Sequence, residues 1–117
     1  MHIGIYDRLI EVARTEPGLT TYSDIAPLAD LSMDRVEDRA EISRILEEIL
    51  QRESAEGRPL LTALVVHRGE DNNPGEGFFA AAARLGRFGG SRHQMQRLSF
   101  WVSEVNAVHE YWRRSGR

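Results

Sequence analysis

An apolar segment at residues 60–66, Leu-Leu-Thr-Ala-Leu-Val-Val, constrains the fold more than any other part of the 117-residue chain. Pro59 and the polar run that begins at His67 bound it, and a run of this length with paired valines is typical of a buried strand. The backbone N–H and C=O groups of a buried strand need hydrogen-bond partners. The evident candidates are residues 19–21 and 77–79, so we expect a small sheet built from these three segments.

Two helices are expected in the N-terminal quarter of the chain. Residues 3–14 place their apolar side chains on a single face, and the Pro17-Gly18 pair ends this helix. A short second helix follows, which Leu28 and Ala29 close. Thr21 or Ser23 is its N-cap, and Ser23 is preferred because Pro27 is then tolerated in the first turn.

Two longer helices show clearer start signals. Asp34 with Glu37 three residues later resembles a capping box, and so does Ser91 with Gln94. The first box opens a third helix with apolar residues at Val36, Ile42, Ile45, Leu46, Ile49 and Leu50. The second opens a last helix, to about Arg113, with apolar residues at Met95, Leu98, Trp101, Val102, Val105, Val108 and Trp112. Spacings of three and four predict that this last helix lies across a core or against a partner helix.

The order of these elements is that of a winged helix-turn-helix. Phe78 and Phe79 are expected to form a short returning strand, and the turn-rich residues before them would form the wing. We therefore predict a mainly α fold with a small β-sheet (α+β), winged-helix-like, in a single domain over residues 1–117. Its helix-turn-helix and wing would occupy residues 1–86, and a long added C-terminal helix would occupy residues 91–114.

Charge is distributed unevenly along the chain. Residues 1–57 carry thirteen acidic residues against six arginines, whereas residues 84–117 carry seven arginines against two glutamates. Every strongly basic side chain is an arginine, whose planar guanidinium matches phosphate and carboxylate. The absence of cysteine excludes disulfides, thiolate nucleophiles and thiolate metal ligands. Because no secretory leader and no membrane-spanning apolar run is visible, we expect a cytoplasmic protein with no membrane contact.

Residues with catalytic or metal-binding potential are scattered. The four histidines include no i, i+4 pair of the kind that ligates zinc on a helix. No serine lies in a Gly-x-Ser-x-Gly elbow, and the glycine-rich loop around Gly75 and Gly77 lacks the lysine of a phosphate-binding loop. We therefore expect no catalytic residue, no cofactor and no metal, and a binding protein rather than an enzyme.

Several short motifs between residues 18 and 78 resemble the DNA-binding domain of O6-alkylguanine-DNA alkyltransferases and alkyltransferase-like proteins. They are Gly18, Thr21-Tyr22, Ile25-Ala26, Arg39-Ala40, Pro59 before Val65-Val66, and Gly75-Glu76-Gly77-Phe78. The resemblance implies that the Thr-Tyr-x-x-Ile-Ala stretch opens the first helix of the helix-turn-helix, that the helix beginning Arg-Ala reads DNA, and that Arg39 intercalates. Where that family has Pro-Cys-His-Arg, this chain reads Pro59-Leu60-Leu61-Thr62 and lacks the acceptor thiol.

Two kinds of partner remain open for such a module. The third helix of a DNA-binding winged helix enters the major groove, yet residues 34–53 carry seven acids against four arginines, the wrong sign for phosphate. We therefore favour protein–protein contact or self-association by a small regulatory or accessory protein. The alternative is duplex DNA binding by a bacterial-type transcriptional regulator or an alkyltransferase-like protein. The candidate contact residues are Arg39, Arg44, Arg68, Arg84, Arg87, Arg92, Arg97, Trp101 and Trp112.

Overall fold

The computed structural model describes residues 1–15, 18–67 and 74–114. These residues form helices α1 (Ile3–Ala13), α2 (Tyr22–Ile25), α3 (Val36–Ala55), α4 (Glu76–Arg84) and α5 (Gln94–Arg114). The strands β1 (Thr20–Thr21) and β2 (Val65–Val66) pair in parallel, with Thr20 opposite Val65. Short 3-10 turns cover Ala26–Ala29 and Leu61–Leu64. The described chain is thus mainly helical with a small parallel sheet, which confirms the α+β class.

The apolar segment at residues 60–66 is buried along its whole length, but its strand is confined to the last two residues. Leu61–Leu64 turn in a 3-10 helix instead, in which the Ala63 N–H donates to the Leu60 carbonyl. The prediction of a strand over the whole segment was therefore wrong, because a continuous apolar run lacks the period that separates a strand from a helical turn. Its predicted pairing with residues 19–21 is confirmed by β1.

The returning strand expected at residues 77–79 is also wrong, because these residues lie inside α4. Gly75 has a φ of 85° just before the helix begins. Phe78, Phe79, Ala81 and Ala82 are then buried with the spacing of one helix face. Among the described residues the sheet consists of β1 and β2, so Phe78 and Phe79 add no wing strand to it. The loop residues 68–73 lie outside the described part of the chain.

The short second helix starts and stops earlier than predicted. Thr21, rather than Ser23, is the N-cap of α2, and its hydroxyl accepts a 3.1 Å hydrogen bond from the Asp24 N–H. Pro27 lies in the first turn of the 3-10 segment that follows α2. A proline has no N–H to donate and its ring disturbs the preceding turn, so the α-helical pattern ends before it.

Neither predicted capping box forms. Helix α3 begins after Arg35 without a side-chain cap, and the Asp34 N–H donates to the Ser32 hydroxyl. The Ser91 hydroxyl accepts from the N–H of His93, before α5 begins at Gln94. In both places a serine hydroxyl, that of Ser32 or Ser91, stabilises the turn before the helix rather than the helix itself.

The hydrophobic core consists of two clusters that α5 connects. The first joins α1, α3, β2 and the C-terminal part of α5 and includes Val108 and Trp112. The second surrounds Phe78 and Phe79 of α4, and Trp101 of α5 packs against it. The predicted apolar stripe of α3 lies in these clusters apart from Val36, which is 73% exposed.

Candidate functional site

The guanidinium of Arg44, on the exposed face of α3, is engaged by carboxylates of the same helix. Arg44 donates through Nε to Glu41 at 2.6 Å and lies 3.5 Å from Glu48. Its hydrogen bond to Glu41 holds the pKa of that carboxyl below its usual value. A phosphate at this face would compete with carboxylates that already occupy the guanidinium, and it would meet their negative charge.

Arg39 lies on the same helix and differs from Arg44 in its partner. Its Nε donates to the Met33 carbonyl oxygen, and the residue is exposed near the start of α3. Because this partner is an uncharged carbonyl, the guanidinium has no carboxylate beside it among residues 1–15, 18–67 and 74–114. Arg39 therefore keeps the exposure that an anion-binding or intercalating role would require.

The arginines after residue 83 do not form the concentrated positive surface that their sequence spacing suggests. Arg84 pairs with Glu47 of α3, Arg87 lies 3.6 Å from Glu104, and Arg97 pairs with Glu76. Arg97 also stacks 5.1 Å from the centroid of the Phe79 ring. Arg92 is exposed and makes no ion pair with any described residue. The predicted contact residue Arg68 lies outside the described residues.

The two tryptophans proposed as contacts are both held by the fold. Trp112 is 4% exposed and meets Tyr6 edge-on, with ring centroids 6.4 Å apart. Trp101 is half-buried, and its indole N–H donates to the Ala63 carbonyl at 2.8 Å. Their side chains fix α5 onto the two core clusters.

A second apolar face of α5 points away from the core. Met95, Leu98 and Val102 are 67%, 47% and 44% exposed. Their i, i+3, i+7 spacing places them on one side of the helix, and we call this set the α5 stripe. Their sequence spacing places them among the apolar positions of a helix that lies across a core or against a partner helix. The apolar positions of α5 span too wide an arc to face a single neighbour. That width is the signal that identifies the stripe.

A small cavity of about 150 Å³ lies between the start of α2, α3 and α4. Tyr22, Leu46, Thr62 and Phe78 line it, with the paired side chains of Glu47 and Arg84. The Thr62 hydroxyl is buried and makes no hydrogen bond with the described residues. Burial raises the pKa of Tyr22, whose hydroxyl donates to the Pro74 carbonyl. The volume is roughly that of a cavity that binds one benzene ring.

Three of the four histidines have structural contacts rather than a shared site, and His93 is exposed before α5. His2 caps α1, His67 stacks on Tyr22 with centroids 4.5 Å apart, and His109 Nδ1 lies 2.6 Å from the Ala13 carbonyl oxygen. Within residues 1–15, 18–67 and 74–114, no group of three or more histidine or acidic side chains is arranged to hold a metal ion. None of the helices in these ranges has the length and apolar character needed to cross a bilayer.

Comparison with known proteins identifies no family for this chain. The chain matches no protein-family model, and no curated protein and no solved structure is significantly similar to it.

Proposed function

We propose that this protein is a non-enzymatic, winged-helix-like binding module that acts by protein–protein contact in a regulatory or accessory role. The observation that carries the proposal is the exposure of the α5 stripe, three large apolar side chains aligned on a 21-residue helix. Large apolar side chains grouped on one exposed face are typical of interaction surfaces, whereas single exposed ones are ordinary.

The energetics of the α5 stripe favour a helical partner. Covering a fully exposed Leu or Met side chain contributes about 1.5–3 kcal/mol to binding. About half of the surface of these side chains is exposed to water, and a partner can cover that part. Ser99 and Ser103 lie beside the stripe on the exposed side of α5. Small polar neighbours let a second helix approach closely without burying a charge, so contact along the stripe brings little desolvation cost.

The electrostatics of the molecule disfavour duplex DNA as the partner. Arg44 and Arg84 are each paired with a glutamate, and freeing a guanidinium for phosphate would leave that glutamate facing the DNA. Non-specific DNA affinity comes mainly from phosphate neutralisation by cations. Arginines that are paired in this way supply little of it, and this supports the protein-contact proposal over DNA binding.

The winged-helix part of the proposal rests on α2, α3 and the turn between them. In this interpretation α2 and α3 are the helix-turn-helix, and the parallel pair of β1 and β2 ties its first helix to the core. The left-handed conformation of Asp30, with φ 58°, ends the 3-10 segment and redirects the chain toward α3. Asp is one of the few non-glycine residues that adopt this conformation readily.

A second candidate function, alkyltransferase-like DNA binding, is favoured by one observation. Tyr22 and Phe78 come from two separate motifs of the resemblance, and both line the 150 Å³ cavity. A DNA base turned out of the duplex needs such a pocket, and Arg39 is exposed near the start of α3. The cavity volume suits about one ring, however, whereas a guanine has two, so we rank this function second.

A duplex DNA titration tests the proposal against this second candidate. Fluorescence anisotropy would be measured at about 50 and 200 mM salt, where phosphate contacts differ strongly in strength. The proteins are the wild type, Arg39→Ala and Arg92→Ala, the last being the control because Arg92 is equally exposed. We expect binding no tighter than the roughly 10⁻⁴–10⁻⁶ M of non-specific complexes, with no specific effect of Arg39→Ala. Sub-micromolar binding that Arg39→Ala alone abolishes would replace the protein-contact proposal with DNA recognition.

A further inference from the structure

An open cleft of about 700 Å³ lies between α1, the C-terminal end of α3 and the C-terminal half of α5. It is separate from the α5 stripe and from the small cavity beside Thr62. Three arginines line it, together with Tyr6, Tyr111 and Trp112, and the carboxylate at the cleft is that of Glu110. The α3 and α5 ends that form it belong to the acidic and basic halves of the chain, which the fold brings together.

Arg58 is held in position from below. Its Nε and Nη2 donate to the two carboxylate oxygens of the fully buried Glu53, at 2.9 and 3.0 Å, and the Tyr6 hydroxyl donates to the same carboxylate at 2.8 Å. The other terminal nitrogen, Nη1, makes no hydrogen bond with the described residues. Because 19% of the Arg58 side chain is exposed, this nitrogen is a preorganised donor at the cleft.

Of the other two arginines, one has no charged partner among the described residues and the other has only an exposed partner. Arg52 is exposed, and its side chain makes no ion pair or hydrogen bond with any residue in the described ranges. Arg114 pairs with Glu110 at 3.1 Å, and both side chains are more than half exposed. An exposed i, i+4 pair of this kind contributes little to stability, so Arg114 can turn to an incoming anion at low cost.

The aromatic wall gives the cleft an apolar side. Tyr111 meets Trp112 edge-on with ring centroids 5.0 Å apart, and Trp112 in turn meets Tyr6. Tyr111 is 39% exposed, so part of its ring is open to contact. Tyr, Trp and Arg are the residue types that contribute most to protein–protein binding, because they combine large contact area with polar groups.

We propose that this cleft binds a short acidic peptide segment of a partner protein, with carboxylates on Arg52 and Arg58 and an apolar side chain against Tyr111. The guanidinium fork matches a carboxylate in geometry as well as in charge. The surroundings distinguish a peptide from a nucleic acid, because Glu48 of α3 and Glu56, the C-cap of α3, lie one helical turn on either side of Arg52. A polyphosphate chain would have to pass these carboxylates, whereas a peptide can place single carboxylates between them.

A fluorescence anisotropy titration of the whole chain tests this inference with three labelled probes. The first is the blocked peptide Glu-Glu-Leu-Phe-Glu-Glu-Leu-Glu, the second is the same peptide with glutamine in place of glutamate, and the third is an eight-residue oligo-dT. The test variant is Arg52→Gln/Arg114→Gln, which leaves the buried Arg58 pair in place. The matched control is Arg92→Gln/Arg35→Gln, because Arg92 has no ion pair among described residues and Arg35 pairs with neighbouring Glu37. Both variants remove two exposed positive charges.

We expect the wild type to bind the acidic peptide at least about tenfold more tightly than the glutamine peptide. The affinity of the test variant for the acidic peptide should be roughly tenfold lower than that of the wild type. The control variant should bind within about twofold of the wild type. Equal binding of the two peptides, equal losses in both variants, or no binding of the acidic peptide would overturn the inference. Tighter binding of oligo-dT through Arg52 would assign the cleft to nucleic acid instead. The Leu98→Ser/Val102→Ser variant of the α5 stripe should bind the peptide normally, so failure here is distinguishable from failure of the proposed function.

Discussion

The carboxylate of Glu53 and the guanidinium of Arg58 form a two-point pair in which the glutamate has no exposed surface. The pair links the C-terminal end of α3 to the segment that leads into β2, and the hydrogen bonds that Arg58 donates to Glu53 raise the pKa of Arg58 above its ordinary value. A carboxylate buried this completely is stable only while its partners remain. The fold near the cleft therefore depends on this pair.

Glu53→Ala should destabilise the protein by about 3–5 kcal/mol, because it leaves the half-buried Arg58 without a counter-charge. The matched control is Glu56→Ala, one turn further along, where the side chain is exposed and the change should stay within about 0.5 kcal/mol. Urea unfolding followed by circular dichroism gives both values. Similar midpoints for the two variants would contradict a structural role for the pair.

Stability should fall as the pH rises above 10, and buried tyrosines should cause the fall. The pKa values of Tyr22 and Tyr6 are raised above 10.0, in both chiefly by burial. The unfolded chain then ionises first, so the stability that the neutral tyrosines contribute below pH 10 is lost as the pH increases. With no lysine and no cysteine in the chain, few other groups titrate in this range.

The free energy of unfolding between pH 8 and about 11 measures this effect. Tyr22→Phe should reduce the slope of stability against pH, while Tyr111→Phe, at an exposed side chain, serves as the control. The slopes are compared rather than the absolute values, since Tyr22→Phe also removes the hydrogen bond to Pro74. An unchanged slope in Tyr22→Phe would show that burial of this residue does not cause the loss of stability at alkaline pH.

Trp101→Ala should lower the free energy of unfolding by about 3–5 kcal/mol. The Trp101 ring packs on the second core cluster, and its indole N–H donates a hydrogen bond to the Ala63 carbonyl. Leu98→Ala, three residues away on the outward face, should change stability by no more than about 0.5 kcal/mol. Thermal melting of both variants checks the division of α5 into two faces. A larger loss from Leu98→Ala than from Trp101→Ala would reverse that division.

Gly18 and His109 should behave as a coupled pair. Gly18 has a φ of 79°, and a Cβ placed there would overlap Cε1 and Nε2 of the His109 ring, which contacts the Ala13 carbonyl from its other side. Gly18→Ala should therefore be strongly destabilising, and less so when combined with His109→Ala. A double-mutant cycle by urea unfolding should give a coupling of about 1–2 kcal/mol, whereas additive losses would exclude the overlap as the cause.

The longer helices could be predicted from sequence because their side chains repeat with a helical period over three or more turns. The positions of α1, α3 and α5 follow from that repeat, and so does the burial of Ile42 and Ile49. The segments at residues 60–66 and 77–79 could not be assigned in the same way. A short apolar run fits a strand and a buried turn equally well, and tertiary packing decides between them.

The charged surface could not be predicted because its pairs are distant in sequence. Arg84 pairs with Glu47, which is 37 residues away in the sequence, and Arg97 pairs with Glu76, which is 21 residues away. The run of arginines after residue 83 therefore looks more basic in the sequence than on the folded surface. The Arg58 cleft was missed for the same reason, since its lining comes from α1, α3 and α5.

Site-specific photo-crosslinking tests the central claim, that the α5 stripe is a protein-contact surface, most directly. Benzoylphenylalanine would replace Leu98 in one protein and Leu28 in the other, because both leucines are 47% exposed but Leu28 belongs to the 3-10 segment Ala26–Ala29 rather than to α5. After irradiation in cells of the source organism, mass spectrometry identifies what is attached. We expect a discrete protein adduct at position 98, either a second copy or another protein, that Val102→Ser removes and that position 28 does not give. The same adducts at both positions, no discrete adduct at position 98, or attachment to DNA there would contradict the account.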